Sequence, residues 1–126
     1  MNPLKNQVAF ITGGGRGIGA ATAEALARKG AHIVVASRSK PELTATVAQL
    51  HAAGLNASAL VLDVADEAAV DTAFARIGAD FGRLDILVNN AAILLGGAFA
   101  DMTMGDWDRL NAINLRGAEL CARQSI

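Results

Sequence analysis

Continuous apolar runs along this chain alternate with stretches in which apolar residues recur at helical spacing. The apolar runs predict strands, and the amphipathic stretches predict helices that start at capping residues and end at glycines. The predicted strands are residues 7–12, 32–37, 58–62 and 85–89. The predicted helices are residues 17–29, a helix capped by Ser39 that ends near Gly54, one capped by Asp66 that ends by Gly82, and a last one that starts at Thr103 and runs to the chain end.

The strands show no alternation of apolar and polar positions, which is typical of sheets that are buried on both faces. Strand and helix alternate four times, and right-handed crossovers then give a parallel sheet with helices on both sides. The predicted fold is therefore α/β, a Rossmann-like doubly wound parallel sheet with strand order 3-2-1-4. No linker or repeat divides the chain, so residues 1–126 are interpreted as a single domain.

Composition narrows the class of protein further. Hydrophobic residues make up 52% and charged residues 18% of the 126, which is typical of a globular chain. The net charge of −1 and the lack of a basic run argue against nucleic-acid partners. No apolar run approaches the roughly 20 residues that span a bilayer, no signal peptide is apparent, and Cys121 has no disulfide partner. We therefore expect a cytoplasmic protein without a membrane segment.

The residues that follow the first predicted strand are rich in glycine. They read Thr12-Gly13-Gly14-Gly15-Arg16-Gly17-Ile18-Gly19 and lead directly into the first predicted helix. Glycine allows a close approach of the backbone to a ligand, and a helix N-terminus attracts anions. A strand, a glycine turn and a helix in this order predict a site for the phosphates of a dinucleotide, although the glycines are spaced G-x-x-x-G-x-G rather than G-x-G-x-x-G. The turn alone would be typical of any flexible loop.

The residues at the end of the second predicted strand distinguish between NAD and NADP as the dinucleotide. NAD sites place an Asp or Glu about 20 residues beyond the glycines, where it binds the ribose 2′-hydroxyl. Here the region reads Ser37-Arg38-Ser39-Lys40. Arg38 is suited to paired hydrogen bonds with a 2′-phosphate, and Arg16 in the glycine turn is near enough to contribute. We therefore predict NADP rather than NAD, the alternative being that Arg38 and Lys40 are ordinary surface charges.

Four motifs together resemble the short-chain dehydrogenase/reductase family. Thr12-Gly13-x-x-x-Gly17-Ile18-Gly19 matches the family's T-G-x-x-x-G-I-G pattern, and Asp63-Val64 resembles its pair beside the adenine ring. Asn89-Asn90-Ala91-Ala92 resembles N-N-A-G, with Ala92 in place of the glycine. Trp107 followed by Asn114-Leu115-x-Gly117 resembles the W…N-L-x-G segment of the next helix. The motifs occur in the family's order and cover nearly the whole chain.

The resemblance implies roles residue by residue. Asp63 would hydrogen-bond the adenine with Val64 beside it, and Asn90 and Ala91 would lie near the cofactor riboses. Asn114 would be the family's active-site asparagine, which holds a water in the proton relay to a catalytic lysine. The segment that would cradle the pyrophosphate contains Gly13, Gly15, Arg16, Gly17, Ile18 and Gly19.

The family's reaction is hydride transfer between a nicotinamide and a carbonyl or alcohol, with a tyrosine, a lysine and a serine completing the site. This chain has no tyrosine, its last lysine is Lys40, and its only serine after Asn114 is Ser125. We therefore expect a truncated, N-terminal part of an NADP-dependent oxidoreductase that is inactive alone, with a small carbonyl or alcohol as the substrate of the full-length enzyme. The alternatives are a non-catalytic NADP-binding module and a methyltransferase on a similar sheet, which Ser37-Arg38 disfavours. No metal site is predicted.

The last predicted helix is expected to carry an exposed apolar face. In the family, this helix often packs against its counterpart in a partner subunit. The chain is therefore expected to form a homo-oligomer through this helix. The apolar face consists of Leu110, Ile113, Leu115, Leu120 and Cys121.

Overall fold

The computed structural model describes residues 2–126, in which four parallel strands are separated by helices. The strands are β1 (Val8–Thr12), β2 (His32–Ser37), β3 (Ala57–Val61) and β4 (Ile86–Val88). The helices that connect them are α1 (Gly17–Arg28), α2 (Lys40–Ala52) and α3 (Glu67–Phe81). A 3-10 turn (Phe99–Asp101) precedes the C-terminal helical region, which consists of α4 (Met104–Asn111), a π-helical segment (Ala112–Gly117) and α5 (Ala118–Gln124).

The strands lie in the order β3-β2-β1-β4, which confirms the predicted topology. β1 pairs in parallel with β2 on one side and β4 on the other, so that Phe10 lies between Val34 and Leu87. β3 pairs with the far side of β2. Because all strands run the same way, their carboxyl ends meet at one edge, where ligands of doubly wound sheets bind.

Each face of the sheet has its own hydrophobic core. Alternate residues of β1 and β2 point to opposite sides, as the period of a strand requires. Phe10 and Val34 pack towards α3, the π-helical segment and α5, and the Phe10 ring meets Phe74 edge-on at 5.3 Å. Ile11 and Ile33 pack towards α1 and α2. The helix side chains on that second face include Ala23 and Ala27, whose small size suits close packing of α1 on the sheet.

The predicted helix boundaries rest on local hydrogen bonds that the structure contains. The side chains of Ser39, Asp66 and Thr103 accept hydrogen bonds from backbone N–H groups in the first turns of α2, α3 and α4. Gly82 ends α3 in a left-handed conformation, with φ of 71° and its N–H bonded to the carbonyl of Gly78. These caps explain why the predicted starts and stops agree with the structure to within about two residues.

β3 differs from its prediction in position and in burial. It covers Ala57–Val61 rather than 58–62, and its side chains alternate between the core and solvent, with Val61 60% exposed. The expectation that every strand is buried on both faces is wrong here because β3 lies at the edge of the sheet. Only the two central strands, β1 and β2, are buried nearly throughout.

The C-terminal region corrects two expectations. The predicted single α-helix is interrupted by the π-helical segment, although the backbone stays helical through Ala112 and Ala118. The predicted exposed apolar face is also largely wrong, because Ile113, Leu120 and Cys121 are buried in the core beside α3. Leu115 does face solvent, with 68% of its surface exposed.

Candidate functional site

An open cleft of about 460 Å³ lies at the carboxyl ends of the strands. It brings together most of the residues that the sequence analysis singled out for the cofactor. Gly19 and Asn114, which are also predicted as site residues, do not line it. The predicted residues that line the cleft are Gly13, Gly15, Arg16, Gly17, Ile18, Ser37, Arg38, Asp63, Val64, Asn90 and Ala91.

The glycine turn needs its glycines for two different reasons. Gly13 and Gly17 have φ of 65° and 59°, a left-handed conformation that residues with a side chain adopt only at a cost. Gly19 is needed for space, since a Cβ there would lie 2.2 Å from the Gly13 carbonyl oxygen. Nothing lies within 4 Å of the position of a Cβ on Gly17, so the turn is open towards the cleft at that residue. The backbone is therefore accessible where a phosphate would approach.

Thr12 and Asn90 join the glycine turn to the end of β4. The buried Thr12 hydroxyl accepts hydrogen bonds from the N–H groups of Asn90 and Ala91, both at 3.1 Å, and donates towards the Val88 carbonyl. The Asn90 side-chain amide donates to the Gly13 carbonyl at 3.0 Å. Asn90, predicted as a cofactor residue from the resemblance, thus also holds the turn in place from below.

Within the part of the chain that the structure describes, no side chain caps the N-terminus of α1. Arg16 occupies the N-cap position but makes no side-chain cap, and the first turn contains no acidic residue. The helices α2, α3 and α4 each have a side-chain cap and an acidic residue in the first turn. The free N–H groups and the positive end of the helix dipole at α1 therefore face the cleft, which suits an anion.

The end of β2 contributes cationic and hydroxyl groups to the cleft. Arg38 is exposed and, like Arg16, forms no ion pair within residues 2–126. The Ser37 hydroxyl accepts a hydrogen bond from the Ser39 N–H at 3.2 Å, and the Ser39 hydroxyl caps α2. The two guanidinium groups are thus available to a ligand rather than engaged with the protein's own carboxylates.

Two residues of α2 contribute to this site and were missed by the sequence analysis. Glu42 lines the cleft, and a Cβ on Gly15 would lie 3.1 Å from the Cβ of Glu42. The buried hydroxyl of Thr46, one helical turn later, donates to the Gly15 carbonyl at 3.0 Å. The sequence does place both residues on one face of α2, but only the fold brings that face onto the glycine turn.

Asp63 and Val64 form the wall of the cleft beyond β3. The Asp63 carboxylate accepts a hydrogen bond from the N–H of Ala65 at 2.9 Å, which fixes a tight turn before α3. Val64 is buried against the helical region, where a Cβ on Gly117 would lie 2.6 Å from a methyl group of Val64. The glycine of the W…N-L-x-G motif therefore serves close packing behind the cleft.

Asn114 lies in the π-helical segment and is bound to the loop after β4. Its side-chain oxygen accepts from the Ile93 N–H at 2.8 Å, and its side-chain nitrogen donates to the Ile93 carbonyl at 2.9 Å. Ile93 itself lines the cleft. Ala92, beside it, has no positive φ, because Asn6 is the one non-glycine residue of the described chain with that conformation. Alanine in place of the family's glycine therefore introduces no backbone strain.

Several perturbed acids and bases lie at the opposite, amino end of the strands. Burial lowers the pKa of His32, and the charge of the nearby His51 lowers it further. The His32 ring lies 4.5 Å from the Phe81 ring. Arg83 holds the pKa of Asp85 below its usual value, assisted by the hydrogen bond that the Val8 N–H donates to the same carboxylate. These groups face away from the cleft and tie the start of β1 to the segments around it.

Among residues 2–126, no three His, Cys, Asp or Glu side chains are grouped as metal ligands would be. In the same part of the chain, none of the helices has the length and apolar character that crossing a bilayer requires. The parallel sheet and the cleft at its carboxyl edge define a doubly wound α/β protein with a glycine turn at that edge.

Comparison with known proteins identifies the family. The short chain dehydrogenase family matches residues 7–126, so the chain belongs to this family of oxidoreductases. The short-chain reductase protein NovJ of Streptomyces niveus is 43% identical over 120 residues, which are 94% of this chain and 45% of that protein. The 2,3-dihydro-2,3-dihydroxybenzoate dehydrogenase of Bacillus subtilis is 39% identical over 114 residues, 90% of this chain and 44% of that one.

Solved structures agree with this assignment. A short chain dehydrogenase of Burkholderia cenocepacia in complex with NADP is 40% identical and superimposes with a TM-score of 0.92, covering 98% of this chain and 51% of that one. A Serratia marcescens short-chain dehydrogenase/reductase mutant gives 37% identity and the same TM-score of 0.92, with coverage of 98% and 51%. The chain thus spans about half the length of the relatives it matches.

Proposed function

We propose that this chain provides the NADP-binding part of a short-chain oxidoreductase that acts on a small carbonyl or alcohol. The free N-terminus of α1, where it meets the open glycine turn, carries the proposal. A dinucleotide pyrophosphate would be held there by backbone N–H groups from Gly13 to Gly19 and by Arg16. The helices α2, α3 and α4 instead use their own side chains at this position.

The preference for NADP rests on the end of β2. Ser37 stands where an NAD site needs a carboxylate, and Arg38 beside it lines the cleft without an ion pair among residues 2–126. A guanidinium with no partner of its own is suited to a 2′-phosphate. The related Burkholderia cenocepacia dehydrogenase, which was solved with NADP, supports the same class of cofactor.

The remaining residues of the site receive supporting roles in this proposal. Asp63 and Val64 would contact the adenine, while Asn90 and Ala91 would border the riboses. Asn114 would act near the chemistry, as the family resemblance implies, and its bonds to Ile93 would also keep the cleft wall in position. When bound, the cofactor would supply the hydride, and the protein must supply a proton donor.

Calorimetric titration of the 126-residue chain with NADPH and with NADH tests the cofactor proposal. We expect NADPH to bind more tightly than NADH. Arg38→Gln should weaken NADPH binding by about tenfold, since it removes a charge-assisted hydrogen bond, and should affect NADH much less. Lys40→Gln is the matched control, because Lys40 is exposed two residues after Arg38 and does not line the cleft. Equal losses in both variants would contradict the proposal.

Turnover by these residues alone is not expected, because the 126 residues contain no tyrosine. NADPH oxidation assays of the chain with simple aldehydes and ketones should therefore show no rate above the uncatalysed one. A non-catalytic NADP-binding module is the second candidate. It is favoured by the Asn114 amide, whose oxygen and nitrogen each already bond the backbone of Ile93. Tight NADPH binding without turnover, in a native gene product that lacks a downstream Y-x-x-x-K motif, would select the module.

A further inference from the structure

We propose that Glu42 is a second specificity-determining residue of the cofactor cleft, which opposes a 2′-phosphate and accepts a hydrogen bond from a ribose 2′-hydroxyl. This inference rests on the proposed dinucleotide site and assigns a role to a residue that the family's motifs do not include. Glu42 contributes a carboxylate to a cleft in which Arg16 and Arg38 are the cationic groups. The site therefore contains opposing charges at the place where the two dinucleotides differ.

The sequence around Glu42 predicts a different role for it. Ser39-Lys40-Pro41-Glu42 has the spacing of a capping box, in which the side chain of the fourth residue bonds back to the N–H of the first. One half of the box forms, since the Ser39 hydroxyl accepts from the Glu42 N–H at 3.4 Å. The other half does not form, because the Ser39 N–H donates to the Ser37 hydroxyl at 3.2 Å instead.

Ser37 thus releases the Glu42 carboxylate from the helix cap. Among residues 2–126, this carboxylate has neither an ion-pair nor a hydrogen-bond partner, although its side chain is half-buried. A carboxylate that is partly removed from water is stabilised by a donor, and a ribose hydroxyl in the cleft would be one. The same charge would repel a phosphate in the same place.

The position of the Glu42 side chain is set by the glycine turn. A Cβ on Gly15 would lie 3.0 Å from the Ser37 hydroxyl and 3.3 Å from a carboxylate oxygen of Glu42. Gly15 therefore leaves the space in which both side chains lie. The hydrogen bond from Thr46 to the Gly15 carbonyl fixes α2 against the turn, so Glu42 is held beside the turn and the end of β2 together.

The expected consequence is a cofactor preference that is weaker than Arg38 alone would produce. The carboxylate of an NAD-type site is absent at Ser37, and Glu42 supplies one from the first turn of α2. Arg38 and Glu42 then act in opposite directions on the same 2′ substituent. Removing the charge of Glu42 should sharpen the selection of NADP, whereas removing the charge of Arg38 should reverse it.

Calorimetric titration of NADP⁺ and NAD⁺ into the wild type and Glu42→Gln tests this inference without any turnover. We expect Glu42→Gln to bind NADP⁺ about fivefold more tightly, which is the upper end for a solvent-exposed pair of charges, and NAD⁺ more weakly. Ser37→Ala should shift the preference in the same direction, because it returns the Ser39 N–H to Glu42. Glu24→Gln, which makes the same change of charge on the exposed face of α1, is the control and should leave both affinities unchanged.

The outcomes separate this inference from the proposed function. Tighter NADP⁺ binding with weaker NAD⁺ binding in Glu42→Gln supports the role of Glu42. If the wild type binds NADP⁺ but Glu42→Gln changes both affinities equally or not at all, this inference is overturned and the proposed function stands. If the wild type binds neither dinucleotide, both are overturned.

Discussion

The two sides of the cleft are constructed in different ways. On the side of β1, β2 and α2, the glycine turn is fixed by the buried hydroxyls of Thr12 and Thr46 and by the Asn90 amide. On the side that follows β4, the loop and the start of α4 expose large apolar side chains, and Leu94 is 93% exposed. The proposed nucleotide side is therefore built on buried hydrogen bonds, whereas the other side presents apolar surface.

This difference indicates where the stability of the fold is concentrated. The side chains of Thr12 and Thr46, which anchor the glycine turn, are buried and hydrogen-bonded, so substitutions of these two should affect folding and binding together. The loop after β4 is tied to the helical region by the side-chain amides of Asn89 and Asn114. Substitutions of the exposed side chains in the loop after β4 should change the free energy of unfolding of this chain only slightly. The following experiments test that contrast in order of expected effect.

The largest effect is expected for Gly19→Ala. The new methyl group would lie 2.2 Å from the Gly13 carbonyl oxygen and 2.6 Å from the Asn90 amide nitrogen, so the turn must move. We expect a loss of about 3 kcal/mol in the free energy of unfolding, at the upper end for overpacking, measured by urea denaturation. Gly78→Ala in α3 is the control, since its methyl group meets nothing within 4 Å and should stabilise the helix by about 0.5–1 kcal/mol. Similar values for the two would refute the contrast.

Thr12→Val should have the next largest effect. The substitution keeps the shape of the side chain but removes an acceptor used by two N–H groups at the end of β4. We expect a loss of about 2 kcal/mol, together with faster amide hydrogen exchange at Asn90 and Ala91. Thr46→Val removes a single hydrogen bond to the glycine turn and should cost about 1 kcal/mol. Reversal of this order would mean that the turn is held mainly from α2.

A smaller, pH-dependent effect is expected from His32, at the other end of the strands. Burial lowers its pKa in the folded state, so folding favours the neutral ring. The stability that this provides is complete above the unfolded pKa of about 6.5 and is lost as the pH falls through the lower folded value. The melting temperature should therefore decrease on acidification below about pH 6.5. His32→Asn should make that decrease shallower, and an unchanged slope would exclude His32 as its source.

The smallest effect is expected for Leu94→Ser, on the apolar side of the cleft. Because Leu94 is almost fully exposed, its removal should change the free energy of unfolding by less than about 0.5 kcal/mol. Urea denaturation measures this, and nucleotide affinity should also stay the same. A clear loss of stability would mean that the loop after β4 packs more tightly than its exposure indicates.

The strands and the helices between them could be predicted because the sequence patterns that indicate them are local. The apolar runs of β1 and β2, the capping side chains of Ser39 and Asp66 and the terminating Gly82 each report on their own segment. The motifs that carry the family resemblance also gave the family, which the comparisons confirm. The cleft that unites eleven of the thirteen predicted site residues follows from the parallel topology.

The parts that were missed depend on contacts between distant segments. Glu42 has the spacing of a capping box, and only the position of Ser37 shows that its carboxylate is not used there. The π-helical segment and the burial of Leu120 and Cys121 depend on packing against α3 and Val64. Helical periodicity identifies an apolar face, but it does not tell whether that face is covered by the same chain.

The paired hydrogen bonds between Asn114 and Ile93 have a consequence for association between chains. A side-chain amide that accepts from the N–H and donates to the carbonyl of one residue makes the same two bonds that a residue on a neighbouring antiparallel strand would make. β4 is an outer strand of the described sheet, and unpaired outer strands can recruit strands of other molecules. Asn114 thus satisfies both backbone groups of Ile93, which leaves neither of them open to a strand of another molecule.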